Sequence, residues 1–192
     1  DLCCLLLADL SLSTDTWIDD SQRIIDVIRD SLLLFAECLQ ATGDRFSLYG
    51  FSTRKRDPVR VHQIKSFDEH YNDRIRGRIN AVKPGYYTRL GAGIRYASRQ
   101  LINEGNGKRL LLVLTDGKPN DLDQYEGRYG IEDTRQAVIS ARRAGLIPFC
   151  VTIDHKANDY LPYIFGKGDY MVIHDPRRLP RELPRLYALL TQ

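Results

Sequence analysis

Long apolar runs are missing from this sequence. Nothing in it approaches the roughly 18 consecutive apolar residues that a membrane-spanning helix needs, and no basic-then-apolar leader opens it. No segment is therefore expected to cross a bilayer. Linkers and low-complexity tracts are missing too, so the 192 residues are expected to form one domain that buries about 70% of its unfolded surface. Cysteine is scarce: the four residues Cys3, Cys4, Cys38 and Cys150 match no zinc spacing and suit buried, reduced thiols in a reducing cytosol. An excess of one charge sign is also lacking, since the net charge is only +3. The locally basic stretches RKRDPVR (54–60) and RRLPRELPR (177–185) carry no interleaved aromatics and fit solvated surface better than a nucleic-acid patch.

The apolar residues that are present alternate between two periodicities. LCCLLLAD (2–9) is continuously apolar and ends on an acid, as a strand buried on both faces would. From Trp17 and Ile18 through Ile24, Ile28, Leu32, Phe35 and Leu39 the spacing turns helical, with Gly43 as the stop. RFSLYGFS (45–52) and VRVHQIKSF (59–67) predict a strand and an antiparallel edge partner, joined through Asp57-Pro58. Helices are predicted over 68–82 and 89–103. KRLLLVLTD (108–116) is the most apolar strand and belongs at the sheet centre. A helix is predicted from Ile131 to Gly145, with Glu132 and Asp133 at its positive N-terminus. LIPFCVTID, a short helix at 158–165, DYMVIH and LPRELPRLYALL complete the series.

Such alternation predicts an α/β class: a doubly wound, mostly parallel six-stranded sheet with one antiparallel edge strand and helices on both faces, of the Rossmann-like kind. Ligands in such folds bind beyond the carboxyl ends of the strands, where strand order reverses. Three stretches are expected at that rim: DLSLS with Asp9, Ser11 and Ser13, the Thr88 of YYTRLG, and the Asp116 of LTDG. All their functional groups are oxygens, the donors that a hard divalent cation such as magnesium prefers. Residues 9, 11 and 13 turn the same way in an extended loop, so one carboxylate and two hydroxyls can converge. Each piece also has a plainer role. Ser11, Ser13 or Thr14 could cap the first helix, Thr88 could cap its own, and Asp116 could form a turn before Gly117.

Together these residues resemble the von Willebrand factor A domain and its metal-ion-dependent adhesion site, written Asp-x-Ser-x-Ser, then Thr, then Asp. The resemblance covers essentially the whole chain. It implies Ser11, Ser13 and Thr88 as direct ligands of Mg2+, or of Mn2+ or Ca2+, with Asp9 and Asp116 acting largely through bound water. It also implies a binding module that takes an Asp or Glu from a protein partner, rather than an enzyme.

DLSLSTDTW, KPGYYTRLGAGIRYAS, LLLVLTDGKPNDLDQYEGRYGIEDTR, PFCVTID and YLPYIFG are further similar to the C-terminal domain of the NorD-type activation proteins and of the related CbbO-type Rubisco activase adaptors. That likeness implies a domain excised from the C-terminal part of a larger cytoplasmic protein. Its expected partners are a hexameric MoxR-type AAA+ ATPase (NorQ- or CbbQ-like) and a client, either nitric oxide reductase or Rubisco. Neither nucleic acid nor direct membrane insertion is implied.

Within residues 114–133 six carboxylates crowd together, which raises the question of a self-contained calcium loop. Helix-loop-helix calcium sites need Gly at the sixth position, and counting from Asp116 that place holds Asp121. Asp121, Asp123 and Glu126 are therefore expected as a rim for a basic partner surface. A metal-dependent phosphatase-like hydrolase would need an acid at position 11, where Ser11 stands. It would also need a base at the rim, and His62, His70, His155 and His174 are expected elsewhere.

Overall fold

The computed structural model describes residues 1–9, 16–52, 60–85, 89–105, 107–116 and 124–192, without the side chains of 124–127. Strands β1 (Leu2–Asp9), β2 (Arg45–Ser52), β3 (Arg60–Lys65), β4 (Lys108–Thr115), β5 (Ile147–Thr152) and β6 (Tyr170–Val172) form one sheet in the order β3-β2-β1-β4-β5-β6. All neighbours are parallel except β2 and β3, so the sheet has the predicted antiparallel edge. From β1 the chain builds outward to β2 and β3, then returns to β1's other flank as β4. Strand order reverses between β1 and β4.

The helices are α1 (Ile24–Thr42), α2 (Asp73–Asn80), α3 (Leu90–Leu101), α4 (Gln124–Arg143), α5 (Leu161–Phe165) and α6 (Leu179–Leu190). Successive side chains of a strand point to opposite faces, which divides the core in two. Cys4, Leu6 and Ala8 of β1 pack with α1, α2 and α6, while Cys3, Leu5 and Leu7 pack with α3, α4 and α5. Because both faces are covered, β1 and β4 are apolar at consecutive positions, and each buried leucine contributes about 1.5–3 kcal/mol. All four cysteines are free thiols, with Cys3, Cys4 and Cys150 buried. Among the described residues no helix is long and apolar enough to cross a membrane.

Three helices begin later or earlier than their periodicity suggests. α1 starts at Ile24, not near Trp17, because Trp17 and Arg23 pair as an isolated antiparallel bridge. Two carboxylates explain this: Asp19 accepts the backbone N–H groups of Ser21 and Gln22, closing a turn, and Asp26 accepts that of Arg23 at 2.9 Å. α2 starts at Asp73 instead of 68, since Glu69 accepts the Ser66 N–H in a turn and Asn72 supplies the cap to Ile75.

α4 starts at Gln124, ahead of the expected Ile131, despite Gly127 and Gly130. Glu132 and Asp133 therefore sit in mid-helix, where the charge at the helix end no longer reaches them. Asp133 pairs instead with Arg95 of α3 at 2.8 Å, and Glu132 accepts the Tyr163 hydroxyl of α5 at 2.5 Å. Gly43 (φ 78°) and Gly145 (φ 85°) end α1 and α4 in left-handed conformations, as their stop positions require.

Candidate metal centre

Asp9 is the last residue of β1 and Asp116 the first beyond β4. Ala8 lies beside Leu114 in the parallel register, so the two carboxylates leave neighbouring strands at the reversal of strand order. Asp9 is only 2% exposed. Burying a carboxylate is costly without hydrogen bonds, and Thr115, also buried, donates its Oγ1 to Asp9 Oδ2 at 2.9 Å. A charge-assisted bond of this kind both stabilises and orients the acceptor.

The next strand adds a group that the sequence reading passed over. Asp154, two residues past β5, accepts the Tyr160 hydroxyl at 2.7 Å and the Lys156 N–H at 3.1 Å, while its own N–H donates to Thr152 Oγ1. Thr115 pairs with Thr152, which brings Asp116 and Asp154 out of adjacent strands at one edge. Burial pushes the Tyr160 phenol far up, and the carboxylates of Asp154 and Asp116 add to the shift. Burial likewise raises the Cys150 thiol, helped by the Asp9 charge. A textual signal for Asp154 existed: β1, β4 and β5 run out as LAD, LTD and TID.

Ser11, Ser13, Thr88, Asp121 and Asp123 lie outside the described residues, and Glu126 is described only as backbone in the first turn of α4. The cap position of α1 falls on Arg23, and that of α3 falls on Arg89. α3 hands over to β4 through residues 102–107 and packs on β1 and β4, so it begins at the carboxyl edge.

α3 is held there by two close approaches. A Cβ on Gly93 would stand 3.0 Å from the buried Phe51 ring, and one on Gly91 would stand 2.3 Å from an Asp133 carboxylate oxygen. His155 and His174 lie nearer this edge than the sequence reading placed them. They lie three residues past β5 and two past β6 and stack with ring centroids 5.8 Å apart.

A parallel sheet with an antiparallel edge, acids at the ends of the two central strands and helices on both faces defines the class. The chain belongs to the von Willebrand factor type A domain family, whose model matches residues 7–180. It is similar to Protein NorD of Stutzerimonas stutzeri, at 61% identity over 178 residues that make up 93% of this chain and 29% of that protein. It is also similar to Protein NorD of Brucella melitensis, at 47% identity over 190 residues, 99% of this chain and 30% of that one. The chain thus spans about 30% of the length of these relatives, and its sequence is NorD-like across nearly all of its own. A solved structure, the PilB minor pilin from Streptococcus sanguinis, superposes with a TM-score of 0.76 at 15% identity, covering 99% of this chain and 61% of that one. At that identity the likeness concerns the fold alone.

Proposed function

We propose that this chain is a metal-dependent protein-binding domain of a NorD-type activation protein, acting as an adaptor between a MoxR-type AAA+ ATPase and its client. The observation that carries the reading is the pair Asp9 and Asp116, brought together at the reversal of strand order, with Asp9 oriented by Thr115. Mg2+, or Mn2+ or Ca2+, would be held by Ser11, Ser13 and Thr88 directly and by Asp9 and Asp116 largely through water. The donor set fits a hard cation, being all oxygen with two carboxylates. Among the described residues no three His, Cys, Asp or Glu side chains gather as an alternative metal cluster. When bound, the cation supplies a Lewis-acidic position for an Asp or Glu of the partner. The chain's own residues do the rest: Thr115 fixes Asp9, and α3 begins at the same edge.

The ATPase would be NorQ- or CbbQ-like and the setting cytoplasmic. Relatives named NorD favour cytochrome c-dependent nitric oxide reductase, and the maturation of its non-haem iron, over the Rubisco of CbbO-type adaptors. Asp121, Asp123 and Glu126 would rim the partner contact. The domain is a binding module and no enzyme: Ser11 stands where a phosphatase-like strand end would carry its second acid.

Melting the protein with magnesium or with chelator provides the test. At a concentration 100 times Kd, mass action adds about 2.7 kcal/mol, several degrees in Tm for a domain of this size. Asp9→Ala should abolish both that shift and magnesium-dependent retention of the ATPase, with far-UV circular dichroism unchanged. Equal retention with and without chelator would overturn the reading.

A further inference from the structure

The open edge of the sheet carries a cleft that the metal reading does not use. It has a volume of about 390 Å³ and lies between β3 and the segment that follows α2. Ser52 and Arg60, paired across the β2–β3 ladder, both line it. Because Asp9 pairs with Phe51, the cleft opens at the same edge of the sheet as the metal centre, two strands away. Its floor is apolar, formed by Ile64, Val82 and Pro84.

Its rim is basic: Arg60, His62, Arg78 and Lys83 line the cleft, and none of its described lining residues is a carboxylate. Arg78 is neutralised by Glu69 at 2.7 Å. Arg60 and Lys83 are exposed and make no ion pair among the described residues. The imidazole of His62 is pushed below its ordinary pKa, first by burial and then by the Arg60 charge, so it adds a neutral hydrogen-bonding group at neutral pH. The far wall is fixed in place, since Arg29 of α1 donates its Nε to the Val82 carbonyl at 2.7 Å.

We propose that this cleft is a docking site for an acidic segment of a partner protein, one that sets an apolar side chain on the Ile64–Pro84 floor and carboxylates against Arg60 and Lys83. Charge complementarity selects the occupant: two cations without an ion pair among the described residues flank an apolar floor, and the Glu69 carboxylate beside it is taken up by Arg78 and Gln63. A nucleic acid is disfavoured by the same surface. Among the described residues that line the cleft there is no Phe, Tyr or Trp to stack a base, and the two cations without an ion pair there track little of a phosphate backbone. The site stands apart from the metal reading, because none of its residues belongs to the oxygen set. One of its cations, Arg60, closes the basic stretch 54–60 that sequence alone leaves as solvated surface.

The test is a titration in chelator, followed by ¹H–¹⁵N spectra of the labelled protein. The probes are the pentapeptide Asp-Leu-Asp-Leu-Asp, its amide counterpart Asn-Leu-Asn-Leu-Asn, and a short oligothymidylate. The acidic peptide should shift the amides of Ile64, Val82 and Lys83 saturably. The amide peptide should not, and Arg60→Glu combined with Lys83→Glu should weaken binding about tenfold or more. Both substituted residues are exposed, so an otherwise unchanged spectrum verifies the fold. Equal shifts from the two peptides, binding indifferent to charge reversal, or stronger shifts from the oligothymidylate would each overturn the proposal. Using chelator keeps the outcome separate from the metal centre, whose failure would leave this titration unaffected.

Discussion

At the scale of single residues, the Thr115 hydroxyl decides how Asp9 points. Thr115→Val keeps the shape but removes the 2.9 Å bond. Under the proposed metal reading, loss of such an orienting partner should weaken magnesium binding about 10- to 100-fold, read by calorimetric titration without loss of fold. Glu69 shows a different kind of control. The Ser66 N–H holds its carboxyl down, together with the Arg78 guanidinium and the Gln63 amide, to about 2 against an ordinary 4.5. A depressed carboxyl binds its proton less readily when folded, so its stabilisation is present above about pH 4.5 and lost as pH falls toward 2. Glu69→Gln should lower neutral-pH stability by about 1 kcal/mol. It should also flatten the dependence of Tm on pH between those limits.

At the scale of elements, helix boundaries were decided by short hydrogen bonds that periodicity does not register. Asp19 and Asp26 delay α1 by making turn and cap bonds, whereas α4 runs through Gly127 and Gly130 because its far turns are packed through Ala137, Val138 and Ala141. Helix α3 depends on closeness. Its Gly93 lies against Phe51, a fully buried ring that cannot swing aside. Gly93→Ala should therefore cost about 1–3 kcal/mol in denaturant unfolding, as overpacked cores do. If the gain in helix propensity prevailed instead, α3 would have to pack more loosely than the structure has it.

At the scale of the whole molecule, β1 and β4 are the centre of both cores. Leu112 is fully buried in β4, between β1 and β5. Leu112→Ala should destabilise the fold by about 2–5 kcal/mol, read as a lower denaturant midpoint with an unchanged m-value. Much of this architecture was legible beforehand: doubly buried strands must be continuously apolar, the edge strand must alternate, and helices between them must repeat at 3.6 residues. Asp9 and Asp116 were legible as acids at strand ends for the same reason. The strand order was not, because nothing in a local run records which neighbour it will find. Nor were the values of Thr115, Asp154 and Tyr160, since each depends on the register of two strands far apart in the chain. The cleft beside β3 is of this kind too, assembled from a basic stretch and a helix end that only packing brings together. Sequence by itself determined the elements and the candidate oxygen donors, because periodicity and residue chemistry are local. Only the tertiary structure decided which strand ends meet, because pairing across the sheet is settled by long-range burial.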